Sequence, residues 1–329
     1  MISGQTPVVS RQLSVGRPLG PSLATDHMDA PAIRIVGLSK RYGGLLAVDN
    51  LDLEVSNGEV FGFLGLNGAG KTTTIRVLLD LIRPSAGKAF VLGEDCQSNG
   101  LRVRAQVGYL PGEIRFYGDM TGTETLDLLA RLGRQSVAPH YRGQLLERME
   151  LSSADLRRRI REYSTGMKRK LGIVQAFQTD PALLILDEPT EGLDPLMQES
   201  FYQILYDAQR RGRTVFMSSH VLSEVERVCH RIGLIRKGTL ALLSPVEEVR
   251  KLAARRVRVF FEREVDRIPA RFPDGYEIVE IQPQCWTVRA RGALGPLIDA
   301  LAGLPVRDLE VEKPRLEDVL ISYYREGTP

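Results

Sequence analysis

The chain has 329 residues, 43% hydrophobic and 26% charged, with a formal net charge of +3. This length exceeds one average domain, so we predict one large domain and one small one. The nearly balanced charge argues against a long-range field for nucleic acid, and no nucleic-acid partner is predicted. The three cysteines are too far apart for a disulfide framework or a zinc site. The sequence contains neither an apolar run of about 18 residues nor a secretory signal, so we expect an intracellular chain.

The predicted elements begin after an N-terminal stretch without periodicity. Residues 1–30 are rich in Gly, Pro, Ser and Thr, which predicts a disordered tail, and Met28 is a candidate for the true start. Alternating apolar residues from Ile33 to Val55 predict short strands. Further strands are predicted at 60–64, 90–92, 107–110, 183–186, 214–217 and 232–235. Because helical segments separate several of these strands, the pattern indicates an α/β protein with a mostly parallel sheet.

Two helix-rich regions complete the predicted organisation. Residues 111–176 have a helical texture, with candidate starts at Thr121 and Ser152. The basic run within it, 157–161 and 168–170, predicts a solvated helical face. A helical connector is predicted from Ser244 to about Arg255. The domains are accordingly the tail at 1–30, a large domain at 31–245 and a small C-terminal α+β domain at 246–329, with a final helix from about Leu316.

A glycine-rich motif gives the first functional indication. The stretch from Gly65 to Thr72 reads GLNGAGKT and fits the phosphate-loop pattern G-x-x-x-x-G-K-[ST]. Glycines let backbone N–H groups approach phosphates, Lys71 can reach the β and γ phosphates, and the Thr72 hydroxyl can bind Mg²⁺. The preceding apolar run predicts a strand, and a helix is predicted over 72–82. Strand, loop and helix therefore follow the order that nucleotide binding requires.

Two adjacent acids follow the aliphatic run at 183–186. Asp187 and Glu188 end a predicted buried strand, where open α/β sheets bind their ligands. Asp187 suits the coordination shell of Mg²⁺, and Glu188 suits activation of water. Two solvated acids are the alternative explanation, and the phosphate loop upstream favours the functional one.

A second candidate anion site begins at Ser164. This residue precedes a predicted helix with an apolar stripe at Met167, Leu171, Val174 and Phe177. An N-cap alone explains Ser164, although a helix start with a free hydroxyl and a glycine also binds anions. The spacing of residues in the sequence, taken alone, favours the N-cap explanation over an anion site.

The ordered motifs together resemble those of the nucleotide-binding subunits of ABC transporters. They are the phosphate loop, YSTGM at 163–167, LDEPT at 186–190, GLDP at 192–195 and SSH at 218–220. The resemblance covers residues 33 to about 245. It implies a P-loop NTPase fold of the ABC type, with a mixed, mainly parallel sheet core, an antiparallel β subdomain and a helical subdomain at about 111–176.

The resemblance also implies roles for the matched residues that bind nucleotide. Tyr42 resembles the aromatic residue that stacks on adenine. Ser164 and Gly166 resemble the signature sequence that faces the γ-phosphate held by the opposite subunit. Thr165 and Met167 replace the usual Gly and Gln, so weaker contact is expected. The residues expected to hold the phosphates are Asn67, Gly68, Ala69, Gly70, Lys71, Thr72 and Thr73.

The catalytic roles are implied in the same way. Glu188 resembles the general base, His220 the histidine that contacts the γ-phosphate and the base, and Asp194 the loop linking the two active sites. Lys71 is expected to stabilise the charge that develops during hydrolysis, and Thr72 and Asp187 to hold Mg²⁺. Where the family usually has a glutamine, this sequence has Gly112 and Glu113. Glu113 is either a replacement oxygen ligand or a solvated loop acid.

The resemblance implies an ATP-hydrolysing subunit of a drug, antibiotic, lipid or ion exporter, with ATP and Mg²⁺ as ligands. Its expected partners are a separate transmembrane permease and a second copy of the chain, on the cytoplasmic face of the cell membrane. The C-terminal domain resembles the extension found in such exporters, and stabilisation of the dimer is its favoured role. One rival is an ABC ATPase acting on nucleic acid or ribosomes, although neither a second nucleotide domain nor a long coiled coil is evident. Another is a GTPase or small-molecule kinase, which leaves His220 unexplained.

Overall fold

The structure, a computed structural model, describes residues 30–133, 136–252, 255–265 and 274–312. The predicted tail, apart from Ala30, and the predicted final helix from Leu316 lie outside the described residues.

A six-stranded sheet forms the centre of the nucleotide-binding region. Its strands are β3 (Val60–Leu64), β6 (Val107–Leu110), β7 (Leu183–Asp187), β8 (Thr214–Ser219), β9 (Arg231–Arg236) and β10 (Thr239–Pro245). They lie in the order β10-β9-β3-β8-β7-β6, with every pairing parallel except that of β10 with β9. The prediction of a mixed, mainly parallel sheet is confirmed.

A second sheet of four antiparallel strands packs near the first. Its strands are β1 (Ile33–Tyr42), β2 (Leu45–Val55), β4 (Ala86–Val91) and β5 (Glu94–Asp95), in the order β2-β1-β4-β5. Phe61 and Phe63 of β3 belong to a buried cluster with residues of this sheet, such as Leu53. Val60 and Leu64 belong instead to the cluster that contains the helical region. All five residues of β3 are buried because both of its faces are covered, which holds the start of the phosphate loop in place.

The helices of this region are α1 (Lys71–Leu78), α2 (Gly100–Gln106), α3 (Gly122–Leu132), α4 (Pro139–Arg148), α5 (Ser153–Arg157), α6 (Thr165–Phe177), α7 (Pro195–Arg210), α8 (Leu222–Val228) and α9 (Val246–Leu252). Thr121 and Ser152 cap α3 and α5 through reciprocal capping boxes, as predicted. α1 is shorter than predicted, because Asp80 adopts φ +51° and the Leu81 N–H turns back to the Arg76 carbonyl oxygen at 2.8 Å. The helical connector, predicted to start at Ser244, begins at Val246 as α9, because β10 extends through Pro245.

A third sheet follows α9 and has its own hydrophobic core. Its strands are β11 (Arg255–Phe261), β12 (Tyr276–Gln282), β13 (Cys285–Ala290) and β14 (Val306–Val311), in the antiparallel order β12-β13-β11-β14, with α10 at Gly295–Leu301. The Trp286 ring packs 4.8 Å from that of Phe261 at the centre of this core. β14 was not predicted, because charged residues interrupt its apolar pattern.

Candidate active site

The phosphate loop joins β3 to α1 and depends on backbone conformations that favour glycine. Gly68 has φ +80° and Gly70 has φ +114°. A Cβ on Gly70 would lie 2.6 Å from the Ala47 carbonyl oxygen, so the close approach of β2 also requires glycine. Asn67 and Gly68 are exposed at the tip of the loop, whereas Lys71 is buried. The loop therefore presents its tip to solvent above a buried cation.

Glu188 links the Lys71 ammonium group to the His220 imidazole. Its Oε1 lies 3.1 Å from Lys71 Nζ, and its Oε2 lies 2.7 Å from His220 Nδ1. Because an ionised carboxylate only accepts hydrogen bonds, Nδ1 carries the proton in this contact. Lys71 Nζ also donates to the Gly65 carbonyl oxygen at 2.5 Å. Glu188 Oε1 is buried and, apart from the ion pair with Lys71, has no hydrogen-bond partner among the described residues, so it has a lone pair available for a further donor.

The backbone of Glu188 is in an uncommon conformation. Its φ is +49°, in the left-handed region that non-glycine residues seldom occupy. Its N–H donates to the carbonyl oxygen of Ser218 at 3.2 Å and to the Ser218 hydroxyl oxygen at 3.1 Å. These contacts with β8 hold the strained conformation, which is a frequent feature of functional sites.

Asp187 accepts hydroxyl groups from two neighbouring elements. Thr72 Oγ1 donates to Oδ2 at 2.9 Å, and Ser218 Oγ donates to Oδ1 at 2.5 Å. Asp187 and Ser218 are direct partners across β7 and β8. Sequence reasoning missed Ser218 as a site residue, although the adjacency of the two strand ends could have indicated it. Mg²⁺ prefers oxygen ligands and usually takes one or two from protein beside substrate phosphates, so Thr72 and Asp187 fit that ion.

Gly112, rather than Glu113, lies beside the aspartate. A Cβ on Gly112 would lie 3.2 Å from Asp187 Oδ2. The Glu113 carboxylate is exposed and accepts hydrogen bonds from Arg115 at 2.7 and 2.9 Å. Of the two alternatives for Glu113, this structure therefore shows the solvated loop acid.

The signature residues form a separate group. Ser164 caps α6, its Oγ accepting from the Met167 N–H at 3.2 Å, and it remains exposed. Asp194 caps α7 by accepting from the Met197 N–H at 3.0 Å. Gly166 in α6 lies close to Gly192, two residues before Asp194, since a Cβ built on Gly166 would be 3.4 Å from the Gly192 carbonyl oxygen. The starts of α6 and α7 are therefore neighbours. Within the described part of the chain, no hydrogen bond joins Ser164, Gly166 or Asp194 to the phosphate loop.

Tyr42 lies at the end of β1, beside the strand that borders the phosphate loop. It pairs with Leu45 of β2, two residues before Ala47. The residue is 43% exposed, and Lys40 Nζ lies 5.0 Å from the ring centroid. Lys40 therefore covers part of the ring that is predicted to stack on adenine.

The prediction of a solvated basic face is wrong for Arg169. This side chain is only 6% exposed, and burial lowers the pKa of its guanidinium, an effect opposed by Glu191, Asp187 and Glu188. The uncharged residues Gly172 and Ile173, three and four positions further along the predicted helix, could have indicated that Arg169 faces inward. Burial also raises the pKa of the Tyr109 hydroxyl to about 12, with further help from Asp187.

Comparisons with known proteins identify the class of site. The sequence family described as ABC transporter matches residues 48–191. The bacitracin transport ATP-binding protein of Bacillus licheniformis is 36% identical over 222 residues, covering 67% of this chain and 71% of that protein. The Nod factor export ATP-binding protein I of Burkholderia pseudomallei is 36% identical over 262 residues, or 77% of each chain. The daunorubicin resistance ATP-binding protein of Streptomyces coeruleorubidus is 36% identical over 221 residues, covering 67% and 70%.

Solved structures agree with these relatives. The ATP-binding subunit of an ABC transporter superposes with a TM-score of 0.62 at 28% identity, covering 67% of this chain and 92% of that chain. A dimeric bacterial ABC transporter cassette has a TM-score of 0.60 at 20% identity and shares the fold.

The fold and the site define a P-loop ATPase of the ABC type. The chain belongs to the family of ABC transporter ATP-binding proteins. This membership confirms the predicted fold, the binding of ATP with Mg²⁺ as its companion ion, and the ATPase activity. No helix among the described residues is long and apolar enough to cross a membrane.

Proposed function

We propose that this chain energises an exporter by hydrolysing ATP on the inner face of the cell membrane, where it drives a separate permease. The observation that carries the proposal is the contact of Glu188 with both Lys71 and His220, beside the Thr72–Asp187 pair. Relatives named for bacitracin transport, daunorubicin resistance and Nod factor export support an exported cargo.

ATP binding is proposed to rearrange the contacts of Lys71. The phosphates lie in the cradle of Asn67 to Thr73, and Tyr42 stacks on the adenine. In this structure Lys71 Nζ lies 3.1 Å from Glu188 Oε1. A phosphate bound next to Lys71 competes with Glu188 for the same ammonium group. Glu188 Oε1 is then available to accept a hydrogen bond from the attacking water.

Hydrolysis then depends on orientation and on charge stabilisation. Glu188 orients the water and takes its proton, while the His220 Nδ1–H holds the other carboxylate oxygen in place. Lys71 stabilises the negative charge on the transferring phosphoryl group. Thr72 and Asp187 would hold Mg²⁺, which would supply positive charge to the phosphates.

The second group of residues is proposed to act on the ATP of a partner subunit. Ser164 and Gly166 are accessible at the start of the 13-residue helix α6, whose N-terminus favours an anion. In a head-to-tail homodimer these residues face the γ-phosphate held by the other copy, and Asp194 lies in the loop between the two sites. ATP closes the dimer and hydrolysis reopens it, which biases the permease because the two states contact it differently.

We also propose a C-terminal accessory domain that stabilises the dimer, and we place its start after α9 rather than at the predicted residue 246, because Val246 and Val249 of α9 belong to the core of the nucleotide-binding region. The separate sheet and core around Trp286 support this assignment. Limited proteolysis yielding a stable fragment that ends after α9, near residue 252, and dimerises more weakly is the expected result. Unchanged dimerisation of that fragment would remove the stabilising role.

The transport assignment is tested by capture of the tagged chain from solubilised membranes. We expect a transmembrane protein to be recovered with the chain, and the purified chain to hydrolyse ATP with Mg²⁺. Recovery with ribosomes or DNA and without any membrane protein would overturn the assignment in favour of an ABC ATPase that acts on those partners.

A further inference from the structure

The buried Arg169 side chain binds the backbone of two separate loops. Its Nη1 donates to the Pro111 carbonyl oxygen at 3.0 Å, and its Nη2 donates to that of Gly112 at 2.9 Å. Its Nε donates to the Glu191 carbonyl oxygen at 2.9 Å. The exposed Glu191 carboxylate lies 3.7 Å from Nη2. One planar guanidinium thus holds three backbone carbonyls, an arrangement that a lysine cannot reproduce.

Both loops border the proposed catalytic acids. Gly112 packs directly on Asp187, where a Cβ would lie 3.2 Å from Oδ2. The Glu191 N–H donates to the Glu188 carbonyl oxygen at 3.2 Å. Arg169 is therefore linked to Asp187 through Gly112 and to Glu188 through Glu191.

Arg169 also lies on the helix whose start is proposed to face the partner's ATP. It is five residues after Ser164 on α6, in the second turn of the helix. The guanidinium therefore forms a direct connection between α6 and the backbone beside Asp187 and Glu188. Burying a cation carries a desolvation penalty that an apolar side chain would avoid, so packing alone is a poor explanation for this residue.

We propose that Arg169 is a positioning residue that couples the start of α6 to the Asp187–Glu188 pair of the same subunit, so that the two ATP sites of the dimer act together. This inference rests on the proposed function as a dimeric ATPase. It assigns no contact with ATP to Arg169 itself.

The test uses Arg169→Lys in the full-length chain. The lysine keeps the charge but reaches one carbonyl in place of three, so we expect kcat to fall about tenfold. Since the nucleotide contacts remain, the KM for ATP is expected to change by less than about threefold. The Hill coefficient for ATP is expected to fall toward one, because the coupling between sites is lost.

Arg104→Lys is the matched control. Arg104 Nη1 donates to the Leu79 carbonyl oxygen at 2.9 Å and lies 3.6 Å from Asp80, beyond the far end of α1. We expect this variant to keep wild-type kcat and cooperativity. The thermal midpoint of each nucleotide-free variant shows whether the two replacements disturb the fold equally.

Gly112→Ala provides a second, independent variant that leaves Arg169 intact. Its methyl group pushes the held loop away from Asp187, so we expect a similar fall in kcat and in the Hill coefficient. If Arg169→Lys does not fold, Gly112→Ala decides the question. Wild-type kcat and cooperativity in a folded Arg169→Lys, or in Gly112→Ala when the former is unfolded, would overturn this inference alone. A wild-type chain without ATPase activity would instead overturn the proposed function.

Discussion

Thr72 Oγ1 donates a hydrogen bond to Asp187 Oδ2 over 2.9 Å, which joins the phosphate loop to the carboxyl end of β7. The two residues are 115 positions apart in the chain, and the parallel sheet brings them together. Under the proposed function, these two side chains would hold the Mg²⁺ that accompanies ATP, and the fold places them together without the nucleotide.

Thr72→Val is expected to weaken activation by Mg²⁺. Valine has nearly the same shape as threonine but supplies no oxygen, so the pair is left with the Asp187 carboxylate alone. We expect the Mg²⁺ concentration for half-maximal ATPase activity to rise about tenfold, which corresponds to about 1.4 kcal/mol. Titration of the ATPase rate with Mg²⁺ measures this shift. Thr72→Ser retains the hydroxyl and should respond like the wild type; equal curves for all three proteins would contradict a metal role for Thr72.

Glu188→Gln is expected to bind ATP normally and to turn over very slowly. The amide cannot take a proton from water, and loss of a general base lowers kcat by about 10² to 10⁴. Because hydrolysis is blocked, ATP should accumulate a closed dimer that size-exclusion chromatography detects. Glu54→Gln removes a surface acid that pairs with Arg34 at 3.3 Å and should leave turnover unchanged. Wild-type hydrolysis in Glu188→Gln would remove Glu188 from its proposed role.

Features whose causes lie close together in the chain were predicted well from the sequence. The strand, loop and helix around Lys71 form a local motif, and its elements occur in the predicted order. Thr121, Ser152 and Ser164 each cap the predicted helix through a hydroxyl group that binds a backbone N–H three residues later. These contacts depend on local chemistry, so a single sequence contains enough information to indicate them.

Features that depend on distant contacts were not predicted. Ser218 reaches Asp187 only because β7 and β8 are neighbours in a specific register. Arg169 was expected on a solvated face because its neighbours in sequence are basic, whereas its three acceptors belong to loops 22 to 58 residues away. An amino-acid sequence shows residue types but not which strands are adjacent in a sheet. The partners of Asp187 and Arg169 can therefore be identified only once the topology is known.

Asp180→Asn tests an ion-pair cluster at the start of the loop before β7. Burial alone would raise the pKa of Asp180, but Arg213 at 2.5 Å and Arg211 at 3.2 Å outweigh it and hold the pKa below its usual value. At neutral pH we expect the variant to lose about 1 to 2 kcal/mol of the free energy of unfolding. Asparagine tolerates the residue's φ of +48°, so the change removes the charge and one of the two acceptor oxygens without straining the backbone.

The pH dependence of this loss has a defined sign. A carboxyl group with a lowered folded-state pKa stabilises the protein fully above its unfolded pKa of about 3.9 and loses that contribution as the pH falls through the folded value. The difference between wild type and Asp180→Asn should therefore be constant from pH 7 to 5 and shrink below about pH 4. Urea unfolding across this range measures it. Asp119→Asn, at an 80% exposed carboxylate paired with Arg161, should change stability little at any pH.

Gly70→Ala is expected to destabilise the nucleotide-free protein more than an ordinary glycine replacement. Both Gly70, at φ +114°, and Gly303, at φ +101°, have backbone that is unfavourable for alanine, which costs about 1 kcal/mol or more. The methyl group on Gly70 would also lie 2.6 Å from the Ala47 carbonyl oxygen, whereas nothing lies within 4 Å of a Cβ on Gly303. Gly303→Ala is thus the matched control for the backbone term. We expect urea unfolding to show an additional loss of about 1 to 3 kcal/mol for Gly70→Ala, because β2 and the loop must move apart. Equal losses in the two variants would show that the loop yields freely at this contact, and that β2 does not hold the phosphate cradle in its shape.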